Sequence, residues 1–290
     1  MLRNLTEKER KTAQGTNPMD KTSEEASSKG KKRQRDQQPT ETQTNQLHHQ
    51  ILSLEDNLSF TDTLVALRMM RAQFPRIDKV SIQPFVLRSQ LYSSVKDRTQ
   101  VDRELESLRR EKVVRIFKLN TGQDDHAIMF LDDYLNQMEN VVKRFEEKKE
   151  GDLEVFKWFR THVIDSKLEP SIEHQELYTL LSLGGMVKDG HISLLINAGL
   201  LTRQLIDPNM YWFAIPNIGS VLKGLSQGRK EVLSFLNRRR YKEMMLASME
   251  KKRLRFSPLD TRFHLRDLIG SGHLKTVQTS TGLLVRVSKD

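Results

Sequence analysis

From position 60 onward, stretches with apolar residues every three or four positions alternate with short runs of β-branched and aromatic residues, and the arrangement recurs three times. Over Phe60 to Phe74, the residues Leu64, Leu67, Met70 and Phe74 form a helical stripe. Pro84 opens a second helix around Phe85 to Leu91. Val101, Leu105 and Leu108 mark a third, amphipathic helix beginning after Asp97-Arg98-Thr99. The chain then reads as a strand over Val113 to Leu119, a turn at Asn120-Thr121-Gly122 and a return strand over Ala127 to Phe130. The predicted order is helix, helix, helix, strand, wing, strand.

The second unit repeats this with helices over Leu153 to Ile164, Glu173 to Leu183 and Ile192 to Ala198, the last stopped by Gly199. Strands follow at Leu200-Leu201-Thr202 and Tyr211 to Ile215, ending before Pro216. The third unit is predicted as one long helix from Ile218 to about Arg253, a short helix over Thr261 to Ile269, and a hairpin. The hairpin strands are His273 to Thr279 and Leu283 to Val287, joined across Ser280-Thr281-Gly282. The fold class is mainly α with small β-hairpins (α+β), arranged as three tandem winged-helix domains over 59–148, 149–217 and 218–290. Trp158 and Trp212 are expected to anchor cores.

Met1 to Leu58 behaves differently. It is rich in Lys, Glu, Gln, Thr, Ser and Asn, and its few apolar positions show no periodicity, so burial there cannot offset the entropy of ordering. The expectation is a disordered tail over 1–58. Within it, Lys31, Lys32, Arg33 and Arg35 form a dense basic cluster of the kind nuclear-import receptors bind in extended form; a solvated charge run is the alternative. The chain has no cysteine, which removes disulfides, thiolate metal sites and cysteine nucleophiles. No apolar run approaches the roughly 18 residues of a membrane span, and the N-terminus lacks an apolar signal core, so a soluble intracellular protein is expected, with no membrane partner.

Charge changes the picture most. The net charge is +10, and 218–290 carries all of it, with 16 Lys and Arg against 6 Asp and Glu. The stretch 60–217 is close to neutral, with 22 against 23. A concentrated cationic module on a near-neutral body suits a polyanion held through its phosphates. The candidate DNA-contacting residues are Lys223, Arg229, Lys230, Arg238, Arg239, Arg240, Lys242, Lys251, Lys252, Arg253 and Arg255. On a continuous helix, Lys223, Lys230 and the 238–242 group would share a broad face, while Val221, Leu222, Leu225, Val232, Leu233, Leu236, Met244 and Met245 pack inward. In the first unit, Arg103, Arg109 and Arg110 stand on the third helix, which a winged helix inserts into DNA, but they are interleaved with Asp97, Asp102, Glu104, Glu106 and Glu111, which favours a salt-bridged surface or a protein contact over DNA.

Tests for catalysis fail. A kinase needs a glycine-rich phosphate loop, a strand lysine, a catalytic-loop aspartate and a metal-binding aspartate in order. His264-Leu265-Arg266-Asp267-Leu268 differs from a catalytic loop by an inserted residue, and no Asp-Phe-Gly occurs. Gly270-Ser271-Gly272-His273-Leu274-Lys275-Thr276 lacks the second glycine directly before the lysine of a P-loop and follows a helix rather than a strand, so it reads as a helix end and turn. The histidines have no two-ligand helix spacing, and no nucleophile constellation stands out. No catalytic residue, metal, cofactor or small-molecule substrate is expected.

Phe85 to Val95, with Asp97-Arg98-Thr99 and Arg103-Glu104-Leu105, closely resembles the family called serine/threonine-protein kinase 19. So do Leu195-Ile196-Asn197-Ala198-Gly199-Leu200-Leu201-Thr202, Gly228-Arg229 through Tyr241, and His264-Leu265-Arg266-Asp267-Leu268-Ile269-Gly270. The likeness covers about Phe60 to Val287. It implies a nuclear protein of tandem winged-helix domains that binds double-stranded DNA and acts in transcription-coupled nucleotide excision repair at stalled RNA polymerase II. It also implies partners in those two machineries. The family's kinase label is disputed, and this sequence lacks every kinase element. In family members the basic stretch of the third domain looks like the DNA-contacting surface, which Arg238, Arg239, Arg240 and Lys242 fill here. A charged linker, Arg144 to Asp152, departs from the pattern. The expected function is a non-enzymatic DNA-binding adaptor, the alternatives being a protein interaction scaffold that never touches DNA and, behind it, a serine/threonine kinase with an unrecognised site.

Overall fold

The computed structural model describes residues 61–288 apart from Lys79, Gly122, Gln123, Lys149, Glu150 and the side chain of Asp189. The basic cluster at Lys31, Lys32, Arg33 and Arg35 lies outside the described residues, as does the rest of the tail. One element order occurs three times: helix, short strand, helix, helix, strand, strand. The first repeat comprises α1 (Asp62–Ala72), β1 (Val86–Leu87), α2 (Arg88–Ser94), α3 (Arg98–Arg110), β2 (Val114–Lys118) and β3 (His126–Phe130). A long helix, α4 (Leu131–Lys148), leads on to the second repeat. That repeat has α5 (Glu154–Trp158, prolonged by a π-helical turn over Phe159–Ile164), β4 (Ser171–Glu173), α6 (His174–Ser182), α7 (Asp189–Asn197), β5 (Leu201–Arg203) and β6 (Met210–Phe213). The third has α8 (Ile218–Asn237), β7 (Glu243–Met245), α9 (Leu246–Glu250), α10 (Thr261–Gly270), β8 (Leu274–Thr279) and β9 (Gly282–Val287).

Each repeat folds a three-stranded antiparallel sheet whose last strand lies in the middle, in the orders β1-β3-β2, β4-β6-β5 and β7-β9-β8. Pairing puts Ile116 opposite Ile128, Thr202 opposite Trp212 and Thr276 opposite Val285. Local chemistry fixes the boundaries. Asp97 caps α3 by accepting from the Thr99 and Gln100 amides, and Asp260 caps α10 by accepting from Phe263. Gly199 ends α7 with φ +76°, the left-handed conformation that glycine adopts without a Cβ penalty.

Four expectations are corrected. The helix from Ile218 to about Arg253 stops at Asn237: continuing the Val232 and Leu236 stripe would bring positions 239 and 240 inward, and arginines stand there. The chain turns instead, with Lys242 at φ +53°, so that β7 pairs with β9. Lys223 and Lys230 therefore share no helix with the 238–242 group, and Met244 and Met245 sit half-buried on a strand. Secondly, the opening strand of each repeat is only two or three residues long, too short for a period, and was folded into the neighbouring helix by periodicity alone. Thirdly, Arg144 to Lys148 is the last turn of α4, not linker. Fourthly, Trp212 is only half-buried and faces away from the core, under Lys118 Nζ at 5.7 Å from its ring. Trp158 is also half-buried, packed edge-on to His191 and close against Gly184 and Gly185.

The largest core cluster runs through all three repeats, joining Phe85 and Phe117 to Phe159 and Tyr211, and these to Val221 and Phe263. Arg115 is fully inside, donating to the Ile164 and Lys167 carbonyls and lying 4.1 Å from the Phe213 ring centroid. Burial pulls its guanidinium down to a pKa of about 10. Gln137 on α4 accepts from the Gln83 amide and donates to the Ser81 and Pro216 carbonyls, tying the first repeat to the start of the third. The described residues, 61–288, belong to one compact unit.

Helices α2 and α10 meet closest at Gly270, where a Cβ would lie 1.6 Å from the Ser89 carbonyl oxygen. Gly270→Ala should cost about 3 kcal/mol or more, because backbone rather than a movable side chain must shift. Gly219, also helical but in open space, should gain roughly 0.5–1 kcal/mol on the same change. Urea unfolding of both variants checks this; equal effects would mean the α2–α10 contact is loose.

Candidate nucleic-acid interface

Helix α8 is the spine of the third repeat. Val221, Leu225, Val232 and Leu236 are buried along one side, and Gly224 and Gly228 let Pro258 and His264 approach its backbone. Arg229 belongs to this packed side. Its guanidinium donates to both oxygens of Asp125, at 2.7 and 2.9 Å, and to both of Asp267, at 2.6 and 2.9 Å. Asp125 and Asp267 are 12% and 0% exposed and Arg229 is 12% exposed, so the cluster is screened from solvent. Burial opposes the charge on Arg229, but its hydrogen bonds to both carboxylates outweigh that and raise its pKa. Burial likewise works against ionised Asp125, and hydrogen bonds from Arg229 and Thr121 more than offset it. As a phosphate contact Arg229 is therefore corrected: it is a structural tie between the turn after β2 and helices α8 and α10.

Asp267 also accepts from Ser89 Oγ at 2.6 Å, while Gln90 Nε2 donates to the Phe263 carbonyl and Arg98 to the Gly270 carbonyl. The segment His264 to Gly270, which sequence compares with a catalytic loop, is thus the seam between the first and third repeats. In a winged-helix unit the third helix is the one that enters a DNA groove. Here α10 has Phe263, His264, Leu265, Asp267 and Leu268 buried. It is covered by α2 on that side, and of the side left outside, Arg262 is exposed beside Glu250 and half-buried Arg266 donates to Gln73. Ser271 caps its end and Gly272 turns at φ +85°, as expected of Gly270-Ser271-Gly272.

The other cations stand outside. Lys223 and Lys230 are exposed on α8; Arg238, Arg239, Arg240 and Lys242 are exposed in the α8–β7 loop; Lys251, Lys252, Arg253 and Arg255 are exposed in the α9–α10 loop. Among the described residues none of these side chains has a carboxylate at ion-pair distance, whereas Arg286 on β9 is held by Glu243 at 2.5 Å. Both loops are built rather than loose. Lys242 donates its amide to the Arg239 carbonyl and accepts from Val287, closing a turn with Arg240 and Tyr241 at its tip. Glu231 on α8 accepts from the Arg255 and Phe256 amides, which uses up the acid nearest to Arg255. The arrangement can hold several phosphates through guanidinium and ammonium groups.

In the first repeat Arg109 and Arg110 are both held by Glu106, and Arg109 also lies 4.0 Å from Glu169. Among the described residues no group of histidines and carboxylates is placed to hold a metal ion. Sequence reasoning missed the roles of Asp125, Asp267 and Ser89; the segments Phe85 to Val95 and His264 to Gly270 stand out in the family resemblance, but nothing in them says that they pack together.

Two predictions concern this seam. Arg229→Met leaves two buried carboxylates unpaired and should cost about 3–5 kcal/mol, while Arg239→Ala should leave the melting temperature unchanged; thermal unfolding distinguishes them. His264 is fully buried, with Nε2 2.8 Å from Ser257 Oγ. Burial, helped by Arg229, lowers its pKa to about 4. The neutral ring is the folded form, so stability is full above the unfolded value near 6.5 and is lost as pH falls towards 4, by roughly 3 kcal/mol. His264→Gln should flatten that part of the stability–pH curve; an unchanged slope would contradict the assignment.

The winged-helix name of the chain's relatives fits the mixture of helices and small antiparallel sheets. A family described as inactive serine-threonine protein kinase 19 matches residues 44–287. Winged helix repair factor 1 of Homo sapiens is 31% identical over 219 residues, covering 74% of this chain and 81% of its own length. The Xenopus laevis protein of that name is 33% identical over 229 residues, covering 77% and 83%, and the Dictyostelium discoideum one is 27% identical over 266 residues, covering 79% and 66%.

Proposed function

The chain belongs to the inactive serine-threonine protein kinase 19 family, and from that premise we propose that it is a non-enzymatic, nuclear DNA-binding repair adaptor. Its three repeats act as tandem winged-helix domains over 59–148, 149–217 and 218–290, the third gripping the phosphate backbone of duplex DNA. The observation that carries this reading is the pair of anchored loops, 238–242 and 251–255, whose exposed cations have no carboxylate partners among the described residues. A solubilising surface would mix signs. The family description and the relatives' name support repair without catalysis, and the buried His264, Leu265, Asp267, Leu268 and Gly270 are engaged in packing. The setting is transcription-coupled nucleotide excision repair at stalled RNA polymerase II, and the cluster Lys31, Lys32, Arg33 and Arg35 serves nuclear import.

Protein partners from those machineries meet the first two repeats. The second exposes Met186 by 82% and the adjacent pair Leu205 and Ile206 by 94% and 98%.

Fluorescence anisotropy of a labelled random duplex tests the DNA grip. With about six phosphate contacts the log–log salt slope should be near −5, at roughly −0.9 per contact. Changing Arg238, Arg239 and Arg240 to Glu should remove most of the binding and leave unfolding by heat unaltered. Equal binding by the two proteins, or none by either, would move the loops to an acidic protein partner.

A further inference from the structure

We infer that the third repeat carries base-stacking aromatics as well as phosphate contacts, and that its ligand is DNA containing unpaired nucleotides next to duplex. The inference rests on the proposed DNA-binding reading and adds the kind of DNA.

Among the described residues three large aromatic side chains are exposed: Tyr178 at 40%, Tyr241 at 66% and Phe256 at 64%. Two of the three stand in the two cationic loops, each beside arginine: Arg240-Tyr241-Lys242 and Arg255-Phe256. A phenylalanine ring left in water gains nothing for the fold, since burying it would stabilise by roughly 1.5–3 kcal/mol. Nor are these rings adrift. Tyr241 sits at the tip of the turn closed by Lys242 and the Arg239 carbonyl, and that turn is tied to β9 through Val287. The Arg240 guanidinium covers the Tyr241 ring at 5.3 Å from its centroid. One face of the ring is thereby occupied and its orientation held, which leaves the other face for a planar ligand. Phe256 is fixed through its amide to Glu231 and lines an open groove of about 440 Å³ beside Arg76 and Arg255, with Asp78 as its acid.

A ring held among phosphate-binding cations is the arrangement that binds single strands, where every base offers a π-face and the backbone follows the charge. Paired bases in a duplex already stack on their neighbours, so the rings add nothing there. A duplex meets the cations alone; a strand with unpaired bases meets both. Because α10 is covered by α2 on one side and its outward Arg262 and Arg266 are engaged by Glu250 and Gln73, the two loops are the better-placed surface for bases, and stacking is the contact their rings offer.

The test uses the full chain and three labelled probes: a blunt duplex, the same duplex with a central unpaired stretch, and a single strand carrying 2-aminopurine. The wild type should prefer the interrupted duplex over the blunt one and quench 2-aminopurine. Tyr241→Ala and Phe256→Ala should each weaken binding to the interrupted duplex and the single strand by about tenfold, with less than about a twofold change on the blunt duplex. Tyr241→Trp should keep the preference, which shows that a ring and not a hydroxyl is needed. Equal losses on all three probes, or no loss on any, overturn the inference while the loop arginines can still bind duplex. Absence of binding to every probe by the wild type overturns both this inference and the DNA-binding reading.

Discussion

One buried guanidinium decides what the rest of this molecule can do. Arg229 reaches from α8 to Asp125 in the first repeat and Asp267 in the third, with all four carboxylate oxygens engaged. A charge taken out of water is tolerated only when it is paired and hydrogen-bonded, so the two repeats are held to a single mutual arrangement or pay the cost of an uncompensated ion. Around that tie the fit is close: Gly270 touches the Ser89 backbone, Gly228 admits His264, and Phe74, Phe85 and Phe263 pack with ring centroids 5.2 to 6.1 Å apart. Three small units, each with a three-stranded sheet, the first and third with core clusters of their own, become one body through the cluster that runs across all three.

The tie also redistributes labour within the third repeat. Its third helix, the one such a unit would offer to a DNA groove, is spent on α2 of the first repeat. What stays outside is a set of loops, and these hold cations with no carboxylate partner among the described residues, together with the exposed rings. Loops pinned by main-chain hydrogen bonds to β9 and to Glu231 can present charge without the entropy of ordering a free segment. Rigidity thus resides in the packed helices, and the exposed positive charge in the loops.

The repeated pattern of helices and hairpins was legible because apolar residues at 3.6- and 2-residue spacing mark one-sided burial, as at Leu64, Leu67 and Met70 or along Val101, Leu105 and Leu108. The short first strands were not, since two residues such as Val86 and Leu87 have no period. Charge balance pointed to the third repeat, and most of the named cations are exposed there. It could not separate Arg229 from its neighbours: a lone arginine between Gly228 and Lys230 looks like any surface arginine until Asp125, distant by 104 residues, is folded against it. The stretch from His264 to Gly270 was visible as unusual, yet its meaning is packing, and packing partners far apart in sequence leave no local signature.

Amide hydrogen exchange of the full chain, with and without a saturating duplex, tests this division of labour most directly. The account predicts slowed exchange across residues 238–243 and 251–256 and unchanged exchange in α10. Protection centred on α10 or α3, with the two loops unaffected, would contradict it.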